Sequence, residues 1–282
     1  MIDFTDCKRI DGLINGGESK KEWIIYKGKY YLLKPPSMYK KNKDSTYYNQ
    51  CFSEYISCHI FNLLGVKVQN TILGINKYNG IENVVVACED ITNNNYYDLV
   101  QFSDLIDSKV NNNIFDIIKI INTQDKIDKK LLLEYFWEVF VVDALVNNID
   151  RDIKNLGVLF DRNEKKYYIS PVYDLGRSLY DYIKFDTIKK IIDGDDKLLK
   201  DKIINDSFSV LYDEHGKHIN FIEFFKKCNN VDFISAVERI RVRIDMDKIY
   251  EIIDETPLLN KEINLFYKLV LSMRYDILFD RI

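Results

Sequence analysis

Asn148-Ile-Asp-Arg-Asp-Ile-Lys-Asn155, an apolar run, and then Tyr173-Asp-Leu-Gly176 form the stretch on which the reading of this chain turns. Asp150 and Asn155 stand five residues apart on a short polar loop. Ahead of the loop, Leu131 to Val146 is apolar and long enough for a buried helix. Behind it, Leu156 to Phe160 and Tyr167 to Ile169 have strand composition and are separated by the charged turn Asp161 to Lys166. A hairpin there folds Asp174 back beside Asn155, so two carboxylates and an amide meet at one place.

Those three side chains suit phosphoryl transfer. Transfer from ATP needs a carboxylate that orients the attacking hydroxyl and accepts its proton, and oxygen ligands for a Mg²⁺ ion that bridges the phosphates. A hard octahedral ion is held by one or two carboxylates plus the substrate phosphates, so an Asn and an Asp suffice. The order D-x-x-x-x-N followed by D-x-G is that of a protein-kinase catalytic loop and its metal-binding Asp. Asp150 is therefore the expected base, and Asn155 and Asp174 the expected metal ligands.

Read more widely, Asp143-Ala-Leu-Val-Asn-Asn-Ile-Asp-Arg-Asp-Ile-Lys-Asn155 and Ser170-Pro-Val-Tyr-Asp-Leu-Gly176 resemble the HipA-like serine/threonine kinases, including their short CtkA-like branch. In that family the loop reads N-x-D-R-H-x-x-N, and here Asp152 stands in the place of the His. The resemblance runs in ordered motifs from about residue 12 to 180. It implies an α+β, two-lobed protein-kinase-like fold, with a small β-rich N-lobe over residues 1–90 and a mainly helical C-lobe over 91–282. It also implies ATP and Mg²⁺ as cofactors and a protein serine or threonine as acceptor. A toxin role with an antitoxin partner is implied by analogy alone. A lipid or small-molecule kinase, or a non-catalytic nucleotide-binding module of the same fold, are the alternatives. Arg151, in the D-R pair, is expected either to neutralise phosphate or to stabilise the loop.

The N-terminal part supplies the nucleotide-binding candidates. Gly16, Gly17 and Ser19 lie in a Gly/Ser-rich turn of the type that aims backbone N–H groups at phosphates. An ordinary turn is the alternative. Trp23 to Tyr26 and Lys29 to Lys34 read as a hairpin about Lys27-Gly28, closed by Pro35-Pro36. In kinases a strand lysine holds the phosphates and pairs with a glutamate on the next helix. Tyr48 to Leu64 is such a helix by its apolar spacing, ended by Gly65, and Glu54 is its one glutamate. Lys34 and Glu54 are therefore expected to pair. Strands are expected at Val66 to Ile75 and Asn83 to Ala87, with a turn at Lys77 to Gly80. The segment to Ile91 resembles the approach to a kinase hinge, which implies that backbone from Cys88 through Glu89 to Asp90 binds the adenine edge. The resemblance also implies self-inhibition through phosphorylation of Ser19, against the reading of Ser19 as a turn residue.

Composition limits the alternatives. The 282 residues are 46% hydrophobic with a net charge of −4, which does not suggest an electrostatic nucleic-acid binder. Basic clusters such as Lys40-Lys41 with Lys43 are short. Five cysteines, none in C-x-x-C spacing, point away from a zinc site or a disulfide framework and toward a reducing cytoplasm. No signal-peptide layout or eighteen-residue apolar run is seen, so no membrane span is expected, while export without an N-terminal signal stays open. Beyond residue 96 the chain reads mainly as helix apart from the hairpin behind Asn155. Asp213-Glu-His-Gly-Lys-His218 reads as a solvated loop rather than a metal cluster.

Overall fold

A computed structural model describes residues 1–10, 21–36, 49–105 and 111–279. Two tight turns organise its N-terminal sheet. Lys27 and Gly28 take φ of +49° and +78°, and Asn79 and Gly80 take +53° and +79°. Left-handed residues in two-residue loops match the twist of antiparallel strands. The first turn joins β2 (Glu22–Tyr26) to β3 (Lys29–Lys34), and β1 (Lys8–Ile10) borders β2. The second joins β4 (Thr71–Tyr78) to β5 (Ile81–Glu89). The antiparallel sheet runs β1-β2-β3-β5-β4.

The expected boundaries of β4 shift at both ends. Residues 66–70 leave the strand and reach the other lobe, where Val172 N–H donates to Lys67 O (2.8 Å) and Gln69 N–H to Val172 O (2.9 Å). Residues 77 and 78 extend β4, because Asn79-Gly80 alone makes the turn.

Helix α1 (Gln50–Leu63) packs on β4 and β5 and stops at Gly65, whose φ of +72° a β-carbon would disfavour. Its start is fixed from the C-terminal lobe: Asn49 N–H donates to Asp181 O (3.0 Å) and Gln50 Nε2 to Asp181 Oδ2 (3.1 Å).

The C-terminal lobe surrounds α3 (Lys129–Val146), with every residue from Val139 to Val146 buried. A helix segment buried on all sides needs no polar stripe, which explains why Val139 to Val146 is apolar apart from Asp143. Trp137 and Phe140 meet Phe221, Phe224 and Phe233 from α6 (Phe221–Lys227) and α7 (Val231–Arg241). The shell is completed by α2 (Ile114–Thr123), α4 (Phe185–Ile192), α5 (Asp196–Asn205), α8 (Met246–Asp254) and α9 (Lys261–Phe279). Among the described residues no helix is long and apolar enough to cross a membrane.

Burying α3 leaves its C-terminal carbonyls without water. Arg274 of α9 meets them: Nε donates to Ala144 O (2.9 Å) and Leu145 O (3.1 Å), Nη2 also to Ala144 O, and Nη1 to Ser207 Oγ (2.6 Å) and Tyr180 Oη (3.1 Å). The guanidinium is 0% exposed. A cation there also complements the negative end of the helix dipole.

Among the described residues five strands interrupt the helical lobe, three more than expected. The expected hairpin, β7 (Gly157–Asp161) and β8 (Lys166–Ile169), gains a third strand, β6 (Tyr97–Gln101), in the order β6-β7-β8. Ahead of β6, Asn93, Asn94 and Asn95 all take left-handed φ, and the Asp90 carboxylate accepts the N–H groups of Thr92 and Asn94. The Asp213 to Lys217 segment is the turn of a further hairpin, β9 (Phe208–Tyr212) with β10 (His218–Asn220). Counting β6 with it, three strands were hidden in sequence read mainly as helix.

Two outcomes test this packing. Arg274→Met orphans several buried acceptors and should cost roughly 2–4 kcal/mol in urea unfolding. Burial pushes the Asp181 carboxyl up to about 6. Its folded form therefore binds the proton more tightly than the unfolded chain does, with its ordinary value of about 3.9. This group's stabilisation is full below the unfolded value and is lost as pH rises through about 6. Asp181→Asn should flatten that part of the melting-temperature profile.

Candidate active site

The loop after α3 is shaped by one buried ion pair. Asp143, in the last turn of α3, accepts Nε (2.8 Å) and Nη2 (3.1 Å) of Arg151. The remaining guanidinium nitrogen donates to Asn155 O (3.2 Å) and Tyr173 O (2.9 Å). Helix end, loop and the residue before Asp174 are thereby tied to one planar group. Asn148 adds Nδ2 to Asp143 Oδ1 (2.7 Å). Arg151 is 3% exposed. Of its two expected roles the geometry favours loop stabilisation, because the guanidinium is spent on four internal acceptors.

Asp152, in the place of the family His, also works internally. Its Oδ1 accepts Lys154 N–H (2.8 Å), capping the 3₁₀ turn Ile153–Asn155. Its Oδ2 accepts Asn112 Nδ2 (2.8 Å), while Asn112 Oδ1 takes Ile153 N–H (2.9 Å). With the loop closed from both sides, Asp150 alone of these acids faces outward. Desolvation by the surrounding walls raises its pKa, with Arg177 acting against that and Asp174 and Asp152 reinforcing it.

Lys34, Glu54 and Asp174 come from three separate elements and meet. Lys34 Nζ lies 2.6 Å from Glu54 Oε1 and 2.9 Å from Asp174 Oδ1. Gln69 Nε2 donates to the same Glu54 oxygen (3.0 Å). Burial opposes the lysine's charge, but Glu54 and then Asp174 outweigh it and hold its pKa well above the ordinary value. Lys34 in turn holds the Asp174 carboxyl down, to about 2. Asp174 has a φ of +59°, a conformation that Asp tolerates better than bulkier residues do. Gly176 follows because a β-carbon there would stand 3.3 Å from Glu54 Oε2.

These residues line a cleft of about 190 Å³, with Asp150, Lys21 and Arg177 also on its walls. Asn155 Nδ2 donates to Asp150 O (3.2 Å), which leaves its amide oxygen as the free atom. Asp174 has its second carboxylate oxygen free of Lys34. Both are hard oxygen donors of the kind Mg²⁺ takes, and of the two Asp174 lines the cleft while Asn155 does not. Gly16, Gly17 and Ser19 lie outside the described residues.

The hinge expectation needs correction. β5 runs to Glu89, two residues beyond the expected Ala87, so pairing continues where free backbone was expected. Glu89 N–H is taken by Asn70 O (2.8 Å) and Asp90 N–H by Tyr30 O (2.9 Å). Cys88 is buried, paired with Leu32 and Thr71 on either side. The Glu89 carboxylate holds Lys29 (2.7 Å) and Asn70 (3.0 Å).

Asp143, Asn112, Gln69 and Arg177 were not anticipated as site residues. Only Asp143 had a sequence signal, the one acid in the apolar run Val139 to Val146, which calls for a buried cation. The other three act across gaps of 15 to 41 residues or from loops, where no periodicity marks them.

No protein-family model matches the chain. The serine/threonine-protein kinase CtkA of Helicobacter pylori is 36% identical over 287 aligned positions, which take in 99% of this chain and 86% of that protein. The crystal structure of a Helicobacter pylori proinflammatory kinase CtkA superposes with a TM-score of 0.87 at 35% identity, covering 99% of this chain and 95% of that one. HipA from the Shewanella oneidensis HipA–HipB toxin–antitoxin complex with operator DNA gives a TM-score of 0.53 at 14% identity, over 95% of this chain and 66% of that one, a likeness of fold alone. With identity at this level along almost the whole length, and the expected two-lobed α+β architecture in place, the chain belongs to the HipA-like serine/threonine kinases, in their CtkA branch.

Proposed function

We propose that this kinase transfers the γ-phosphoryl group of ATP to a serine or threonine hydroxyl of a protein, with nucleotide bound between lobes that divide near residue 90. The observation that carries this reading is the ion-pair chain Glu54–Lys34–Asp174 in one cleft whose wall also bears Asp150. Lys34, kept charged by Glu54, binds phosphate oxygens. Asp150 orients the acceptor hydroxyl and takes its proton as the new O–P bond forms, while the bond to the departing ADP breaks. Asn155 and Asp174 would hold Mg²⁺, which when bound neutralises charge developing on the phosphates.

For the adenine edge, the first N–H beyond the paired strand is that of Ile91, so the proposed hinge contact moves to Ile91 N–H with Glu89 O. The Gly16-Gly17 loop and Ser19 keep their proposed roles as phosphate cover and self-phosphorylation site. A toxin role and an antitoxin partner extend the reading through family resemblance. The five free thiols suit a reducing compartment.

Intact-mass spectrometry after incubation with MgATP tests the assignment directly. Wild type should gain one or more phosphates, and peptide mapping should find one at Ser19. Asp150→Asn should gain none over the same period, since loss of a positioned base costs ~10²–10⁴-fold. Near-normal turnover by that variant would remove Asp150 from the base role.

The pH dependence has a definite sign. Asp150 accepts a proton only when ionised, and its pKa is raised, so kcat/KM should climb with pH along a limb displaced above the ordinary aspartate value of about 3.9. A limb at or below that value would contradict the assignment.

A further inference from the structure

A second hollow, of about 370 Å³, opens on the other side of Asp150. It shares Asp150 and Arg177 with the nucleotide cleft, and its remaining wall comes from Ile149, Phe208, Ser209, Val210 and His218. The volume falls within the ~300–1,000 Å³ usual for ligand pockets.

This wall is fixed relative to Asp150. Val210 N–H donates to Ile149 O (2.9 Å), and Ile149 N–H donates to Arg177 O (3.3 Å), so β9, the catalytic loop and the segment after Gly176 are stitched together. Phe208 and Val210 lie two apart on β9 and therefore share its outward face, while Ser209 and Leu211 turn inward. Phe208 remains 49% exposed, a large apolar ring beside the proposed base.

The charges around the hollow are already matched. Arg177 Nε lies 3.6 Å from Asp181 Oδ1, and its guanidinium stands 5.6 Å from the Tyr182 ring centre. His218 Nδ1 faces Ser209 O at 3.0 Å, and its ring lies 4.5 Å from that of Tyr212. Asp150 is reserved for the acceptor hydroxyl. What the hollow leaves unmatched is apolar surface, and an apolar side chain gains by covering it.

We propose that Phe208 and Val210 form the acceptor subsite of this kinase, which takes a large apolar side chain (leucine, isoleucine or phenylalanine) within about two residues of the phosphorylated serine or threonine. The proposal rests on the kinase reading above. The bonds made and broken and the proton's path to Asp150 are unchanged; the apolar neighbour holds the hydroxyl against that carboxylate, so its effect falls mainly on KM.

The test is a panel of serine peptides identical except for leucine, alanine, glutamate or lysine at each position within two of the serine, with kcat/KM measured for wild type, Phe208→Ala and Phe208→Glu. Wild type should favour leucine over alanine at one position by roughly tenfold or more. Phe208→Ala should bring that ratio to parity, and Phe208→Glu should turn the preference toward lysine. The ratio is the readout because a general loss of folded enzyme lowers all peptides alike. A wild-type enzyme indifferent to these positions, or a Phe208→Ala variant that keeps the leucine preference, overturns the subsite. So does transfer to none of the peptides while the intact-mass gain with MgATP persists, and in these three cases the kinase reading stands. Absence of phosphate transfer of any kind overturns both.

Discussion

The Asp143–Arg151 pair is the constraint from which the active region takes its shape. A carboxylate in the last turn of a buried helix and a guanidinium on the following loop satisfy each other out of water, and the fork's spare N–H groups fasten Asn155 and Tyr173. Desolvation makes such a pair weak evidence for net stability. Its consequence is geometric. Separating either partner leaves a buried charge, so the loop that carries Asp150 and Asn155 has one favourable conformation, fastened to the residue ahead of Asp174.

A second ionic link joins this loop to the other lobe. Lys34 belongs to the N-terminal sheet, Glu54 to the helix packed on that sheet, and Asp174 to the segment held by Arg151. Lys34 is poised because its partners differ in surroundings: Glu54 is buried, whereas the Asp174 side chain is 43% exposed. An incoming phosphate can compete for the exposed side of this chain without disturbing the buried one. The contacts from Asn49 and Gln50 to Asp181 join the same two lobes at the start of α1, so α1 is held at its N-terminus as well as through Glu54.

Much of this was readable in the chain because it depends on local order. Lys34 before two prolines, Glu54 near an apolar helical stripe, and the D-x-x-x-x-N and D-x-G elements with a hairpin between them are short-range patterns, and the elements they name are present. β6, β9 and β10 were not readable. Tyr97 to Gln101 lies at the start of the stretch read mainly as helix, and it becomes a strand because β7 offers it a free edge. Phe208 to Tyr212 sits in a helix-rich region and becomes a strand by pairing with His218 to Asn220 while Val210 bonds the catalytic loop. The hinge shifted for a similar reason: β3 continues to pair with β5 to Glu89, and no sequence rule counts the last rung of a ladder.

The sequence by itself determined the two-lobed architecture, the reaction class and the candidates for base and metal ligands, since these follow from residue types at short fixed spacings. Tertiary structure alone decided how each polar group is spent. Arg151 reads along the chain as a phosphate ligand or a loop clamp, and burial beside Asp143 spends its guanidinium on internal acceptors. Asp152 could stand for a missing His until Asn112, 40 residues away, gave it a structural bond. The place of Phe208 beside Asp150 is likewise invisible along the chain. The physical reason is common to all three: a polar or apolar group's role depends on what removes water from it, and that is set by segments far away in sequence.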